Sequence, residues 1–340
     1  MITKARGWIN RIVRPQVFER GIEVGKAAVL QRGTGFVDEA GGAVPFGCAV
    51  VPSGGTVVVA SHGAVNTLGV NANDDGSDAA LDEGILVGRG LQLAKAAVLL
   101  SEGDLLKAYY GGALGPLCTA AKAGGVIDTA TAGGNFGNQP ADDAVDVVSG
   151  SAADVTQQVT IYGTTHGDAT LAISAETVTL TGTDAVTTTK DDWGVILGVV
   201  LSAACAGTVT VSESSGSATI TTITAGVTSA GVVNVPEDDQ VACGVAPTAV
   251  AGGASTKYVG VMGRPTTGST VVGVAKQQNG TTAVTFGKAF ETITMLLVGD
   301  AATATATTLA RGAEETTEGK AVGVARADAE EGALFEALVY

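Results

Sequence analysis

Gly319-Lys320-Ala321-Val322-Gly323-Val324-Ala325-Arg326-Ala327-Asp328-Ala329-Glu330-Glu331-Gly332-Ala333-Leu334-Phe335-Glu336-Ala337-Leu338-Val339-Tyr340 decides the fold class. It reads as a strand over Lys320 to Arg326, an acidic turn closed by Gly332, and a second strand running to Tyr340. Looser echoes stand upstream. Val87-Gly88-Arg89-Gly90 leads through Ser101-Glu102-Gly103-Asp104 into Leu105 to Tyr110. Cys243-Gly244-Val245-Ala246 leads through Gly252-Gly253 into Tyr258 to Val261, and Val272-Gly273-Val274-Ala275 through Asn279-Gly280 into Ala283 to Phe286. A recurring Gly-Val strand, polar turn and apolar return strand predicts an all-β chain. Its units would be small β-barrel or β-sandwich domains built from repeated hairpins, with very little helix.

The clearest β text lies between these echoes. Val155 to Thr164, Ala175 to Thr183, Trp193 to Leu201, Thr208 to Glu213 and Ala218 to Ile223 alternate Val, Ile or Leu with Thr. That puts apolar side chains on one face and hydroxyls on the other, the pattern of a small antiparallel sandwich. Pro236 followed by Glu237-Asp238-Asp239 marks its end. The expected organisation is a basic arm over 1–20, a β domain over 21–118 and a Gly/Ala-rich connector over 119–153. The sandwich follows over 154–236, and a C-terminal β domain over 237–340. Strands are expected at Lys26 to Gln31, Cys48 to Val51, Thr56 to Ser61, Ile85 to Leu93 and Leu105 to Tyr110. Periodicity does not decide between a helical turn and a continued strand for Ala94 to Leu100.

Composition narrows the function. Among 340 residues, 49 are Gly, aromatics are 4% and charged residues 16%, so layers should be thin and cores small. With 45% apolar residues the chain is too hydrophobic for a disordered one. A net charge of −15 disfavours nucleic acid as partner, because phosphate binding needs clustered Lys and Arg. The charge is uneven: residues 1–20 carry Lys4, Arg6, Arg11, Arg14 and Arg20 against Glu19, or +5 − 1 = +4, leaving −19 for the rest. Such an arm suits an acidic partner surface, with Trp8, Arg11, Ile12 and Arg14 as its contact residues. Cys48, Cys118, Cys205 and Cys243 lack C-x-x-C spacing and read as reduced, mostly buried thiols. No signal-peptide h-region is visible, and the longest apolar run, Gly194 to Gly207, is too short and too rich in Gly and Ala to span a bilayer.

Catalytic chemistry is hard to place. His62 and His166, the two histidines, sit in Ser-His-Gly and Thr-His-Gly turns without an obvious partner. Gly21 to Ala27 and Gly312 to Ala321 miss phosphate-loop spacing, and both end in Ala where a magnesium-binding hydroxyl is needed. The run Asn71-Ala72-Asn73-Asp74-Asp75-Gly76 continuing to Asp82 has oxygen ligands at calcium-loop positions. Asn71, Asn73, Asp75 and Asp82 are therefore the weak candidate ligands, although an acidic surface loop fits the same residues. No enzyme and no cofactor are expected.

Val155 to Glu213, with T-I-Y-G-T, E-T-V-T-L-T-G-T and A-G-T-V-T-V, resembles an Ig-like module common in phage capsid and tail proteins. The flanking halves resemble tailed-phage capsid cement (decoration) proteins in Val44-Pro45-Phe46-Gly47-Cys48-Ala49-Val50, in Val87-Gly88 with Glu102-Gly103-Asp104, and in the closing hairpin. The resemblance implies a bacteriophage structural protein, made in the host cytoplasm and carried on the capsid exterior. It would be a homo-oligomer, a trimer, that binds the major capsid protein without nucleic acid or membrane. The sandwich inserted between the halves departs from the simplest such protein and could project toward a host-surface glycan. A tail-tube or tail-fibre component, and a carbohydrate-binding adhesion module using Tyr162 and Trp193, stay open.

Overall fold

The computed structural model describes residues 31–32, 44–53, 56–64, 66–71, 86–88, 90–117, 126–128, 136–237, 240–251, 256–279, 282–299, 307–310 and 321–340. The basic arm, the expected strand before Gln31 and the loop residues Asn73, Asp75 and Asp82 lie outside them. The fold is all-β. The chain forms two compact units: 1–118 with 315–340, and 119–314.

Among the described residues the first unit has two antiparallel sheets. In one, β1 (Gln31–Arg32), β2 (Ala49–Ser53), β3 (Thr56–Val59), β4 (Gly69–Asn71) and β5 (Leu86–Gly88) run in the order β1-β5-β4-β2-β3. In the other, β6 (Gly90–Lys95), β7 (Leu105–Ala108), β8 (Leu114–Pro116), β26 (Gly323–Ala325) and β27 (Leu334–Val339) run β6-β27-β26-β7-β8. A bridge from Ala96 to Leu114 brings its outer strands together, so this sheet curls toward closure. A 3-10 turn, Tyr110–Gly112, joins β7 to β8. The shared core is thin: Ala49, Ala60 and Val70 face Ala94, Ala96, Leu106, Ala108, Ala325, Phe335 and Ala337.

Among its described residues the second unit stacks four sheets. The first holds β10 (Val145–Ser149), β13 (Val186–Thr187), β15 (Val209–Glu213) and β16 (Thr219–Ile223), ordered β13-β10-β15-β16. The second holds β11 (Gln158–Thr165), β12 (Ile173–Thr179), β14 (Trp193–Leu201) and β17 (Ser229–Ala230), ordered β12-β11-β14-β17. The third orders β18 (Val232–Asn234), β24 (Phe290–Val298), β21 (Thr256–Pro265) and β22 (Val272–Asn279), with β19 (Val241–Val245) also on β24. The fourth runs β23 (Val284–Thr285), β20 (Thr248–Ala251), β25 (Thr307–Ala310) and β9 (Val126–Asp128).

Three cores fill the spaces. Val147, Ile161, Trp193, Ile196, Val211 and Ile220 pack between the first two sheets. Leu197, Val232, Ala275 and Leu297 pack between the second and third. Ala249, Val261, Phe286, Phe290 and Leu296 pack between the third and fourth. Strands β14 and β24 are therefore buried on both faces, which is why each reads as a continuous apolar run instead of an alternation. The middle pair approaches closely because glycines line it. A Cβ on Gly198 would come within 2.7 Å of both Leu297 and Val232, and one on Gly299 within 2.8 Å of the Ile196 carbonyl. Gln139 clips the pair: its Nε2 donates to the carbonyls of Ile196 and Gly299 at 3.1 and 3.2 Å, and its Oε1 accepts from Ile196 N–H at 2.7 Å. At one side β17 turns into β18 through Gly231, whose φ of +67° lets the chain change sheets. At the other, Ala172 bridges Val274, so the two sheets close around their common core.

The organisation differs from the sequence reading in three places. Residues 237–340 do not form one domain, because Gly323–Ala325 and Leu334–Val339 complete the sheet of β6, β7 and β8 in the first unit. The sandwich starts at Val145, inside the expected connector, and β9 in that stretch pairs with β25. The terminal hairpin forms as expected, with Gly332 at φ +79°, but all three of its echoes pair otherwise, β19 lying on β24. Val274 lies opposite Val261 on β21, and β6 takes β27 as its neighbour. Ala94 to Leu100 continues as strand to Lys95, with further bridges at Ala96 and Leu100.

Candidate interaction surface

The hairpin β26–β27 positions a second set of side chains besides the core. Strand alternation sends Phe335, Ala337 and Val339 inward, and Leu334, Glu336, Leu338 and Tyr340 outward. On the neighbouring β6 Ala94 points inward, as does Ala96 just beyond the strand, while Leu91 and Leu93 point out. The register aligns the outward residues across four strands. Leu91 opposes Leu338, Leu338 opposes Val324, and Val324 opposes Leu105. Beside this row Leu93 stands opposite Glu336, and Lys95 opposite Leu334. Leu91 is 42% exposed, Leu334 51% and Tyr340 55%.

On β6 the sizes are inverted: Ala94 faces the core, while Leu91 and Leu93 stand on the open side. Burying a leucine side chain is worth about 1.5–3 kcal/mol, so the row forgoes that stabilisation until something covers it. Contiguous apolar surface of this kind marks interaction sites, whereas scattered exposed residues such as Val155, Val227 and Val271 do not. Sequence reading quoted both strands and missed the surface. The signal was present in Leu91-Gln92-Leu93-Ala94-Lys95-Ala96, where the larger apolar residues occupy the phase opposite to the alanines. An acidic rim closes one end, where Glu102 N–H donates to Asp328 at 2.8 Å and Ser101 N–H to Asp104 at 2.9 Å.

The titratable groups that sequence reading weighed are placed for structure. His62 and His166 occupy turns, and the His62 ring lies edge-on to buried Tyr109 at 4.9 Å. Asn71, first of the calcium-loop candidates, is buried and donates to the Val44 carbonyl at 2.7 Å. Cys48 and Cys205 are buried free thiols, and desolvation raises both above the usual thiol range. Trp193 is fully buried, its Nε1 donating to Thr188 at 3.2 Å, and half-buried Tyr162 packs beside the middle core of the second unit. Among the described residues no group of three His, Cys, Asp or Glu is placed to hold a metal, and no helix is long and apolar enough to cross a membrane.

Several carboxylates instead pin loops. Asp154 accepts from Ser149 Oγ at 2.6 Å and from the N–H groups of Ala206 and Gly207 at 2.9 Å each, which holds its carboxyl below the usual range. Asp143 is lowered by the hydroxyl and N–H of Ser215, and Asp168 by Thr170. Inside the third sheet of the second unit, buried Glu291 accepts from Arg264 Nε at 3.1 Å. No protein-family model, curated protein or solved structure matches the chain.

Proposed function

We propose that this chain is a structural virion protein without catalytic activity, one that binds the outside of an icosahedral phage capsid and cements neighbouring major capsid subunits. The observation that supports it is the row Leu91–Leu338–Val324–Leu105, apolar side chains held outward on a hydrogen-bonded sheet. The fully buried centre of a protein interface is more apolar than the surface around it, and a preformed sheet face loses little conformational entropy on docking. The resemblance of the flanking segments to cement proteins points the same way. The protein is expected to act as a homotrimer.

Binding to empty, expanded capsids that lack a decoration protein tests this reading. The wild-type chain is expected to co-sediment with them and raise their melting temperature, while Leu91→Asp with Leu338→Asp loses both effects. Failure of the wild type to bind at stoichiometric excess would overturn the proposal. Light scattering separates it from a tail-tube role: a trimer has three times the 33.4 kDa chain mass, about 100 kDa, whereas a tube subunit assembles into hexameric rings or polymers.

A further inference from the structure

We infer that the second unit is a fused dimer: its third and fourth sheets are a circularly permuted second copy of the sandwich formed by its first two, and the copies meet through the same face. The first support is topology. The second sheet is ordered β12-β11-β14-β17 and the third β22-β21-β24-β18, while the first is β13-β10-β15-β16 and the fourth β23-β20-β25-β9. Strands β20 to β25 thus stand where β10 to β15 do, in the same chain order. The last two strands are displaced: β18, the counterpart of β17, precedes β20, and β9, the counterpart of β16, precedes the first sandwich itself.

Unrelated sandwiches can share a strand order, so register decides. The pairing of β11 with β14 shifts twice, between Tyr162 and Gly163 and between Thr164 and Thr165. That of β21 with β24 shifts between Met262 and Gly263 and between Arg264 and Pro265. Gly163 opposes Ile196 as Gly263 opposes Ile293, and Thr165 opposes Trp193 as Pro265 opposes Phe290. Counterparts lie 100 positions apart on the one strand (263 − 163) and 97 on the other (290 − 193). At each bulge a Cβ on the glycine would strike the opposite carbonyl, that of Val195 or of Thr292. Hydrogen bonds outside the strands match as well. Thr188 N–H donates to the Val145 carbonyl at 2.9 Å, and Phe286 N–H to that of Pro247 at 3.0 Å. Ser202 N–H donates to Gln158 at 2.8 Å, and Gly299 N–H to Tyr258 at 3.1 Å. Core positions agree: Val159, Ile161 and Trp193 answer to Val259, Val261 and Phe290. The sequence keeps a trace in Ala185-Val186-Thr187 and Ala283-Val284-Thr285, which lead into β13 and β23. The contact between the copies is like on like. Strand β14 meets its counterpart β24, with Gly198 against Leu297 and Ile196 against Gly299, so numbers rise on one strand as they fall on the other. Beside β12, Ala172 bridges Val274 on the counterpart strand β22. That is the arrangement of an isologous contact about a two-fold axis. The face of β11, β12 and β14 is therefore an association surface whose partner is a second copy of its own sandwich, and one chain supplies both halves.

Rewiring the full chain tests the permutation. Val126–Asp128 is moved behind Ala310 on a turn the length of Ser214 to Ala218, the segment that joins β15 to β16, and a flexible linker replaces residues 119–135. The second sandwich then has its β16 counterpart directly after β25, as in the first. Amide exchange over β20, β21 and β24 is expected to stay within about twofold of that in the native chain. Loss of this protection with every turn of about four to seven residues would overturn the permutation. Gly163→Val and Gly263→Val, made one at a time in the native order, test the equivalence. Each should speed exchange about tenfold or more in its own sandwich, along β14 or along β24, because the added side chain meets backbone. A sandwich that accepts its valine with exchange unchanged would overturn the match. These readouts need no capsid, so the inference and the shell-binding proposal can fail separately.

Discussion

Asp154 carries the clearest pH dependence at the level of single residues. Its folded carboxyl titrates below the unfolded value of about 3.9, because Ser149 and two backbone N–H groups favour the ionised form. The stabilisation is therefore complete above that unfolded value and is lost as pH falls through the folded one. Thermal melts between pH 7 and pH 2 should show a steeper acid limb for the wild type than for Asp154→Asn. The variant should be the less stable of the two at neutral pH, since its amide cannot serve three donors equally well. Gly299 sets a different constraint. A side chain there meets backbone, the Ile196 carbonyl at 2.8 Å and Leu197 Cα at 3.0 Å, and neither can turn aside. Gly299→Val is expected to cost ~1–3 kcal/mol in denaturant unfolding, as overpacked cores do.

Among the elements, β27 bears the most. It lies between β6 and β26, supplies Phe335 and Val339 to the core and presents Leu334 and Leu338 outward. Phe335→Ala should destabilise the first unit by ~3–5 kcal/mol and leave the melting of the second unchanged, read as two calorimetric transitions. The hairpin itself was legible in sequence, because its strands are adjacent and Gly332 marks the turn. Its partners were not: β6 is more than 200 positions from β27, and local patterning carries no information about pairing at that distance. The same holds for β9 with β25. Strands buried on both faces were legible as apolar runs, but which layers covered them depended on the four-sheet stack. The outward leucine row was hidden because, on β6, outward leucines and inward alanines both read as apolar text.

For the molecule as a whole, the second unit interrupts the first. Its flanking strands β9 and β25 are antiparallel neighbours, with Val126 opposite Ala310, so it leaves and rejoins the chain at one place. Residues 119–314 expressed alone should fold, with chemical-shift or circular-dichroism spectra matching their part in the intact protein. A chain in which a short linker replaces them should retain the first unit. Collapse of the isolated 119–314 fragment would show that the units depend on each other.

The interruption also orders events on the ribosome. Residues 44–117 emerge first but lack β26 and β27, which are synthesised about 200 residues later. At ~5–20 residues per second the early half waits roughly 10–40 s for its missing strands, while the inserted unit can already fold. Nascent chains stopped before Gly323 therefore carry a finished insert and an unfinished sheet, and they lack the exposed Leu334 and Leu338. Translation that aborts late therefore gives products whose first unit is incomplete. Pulse-labelled, truncated chains should accordingly be protease-sensitive in the first unit and protected in the second.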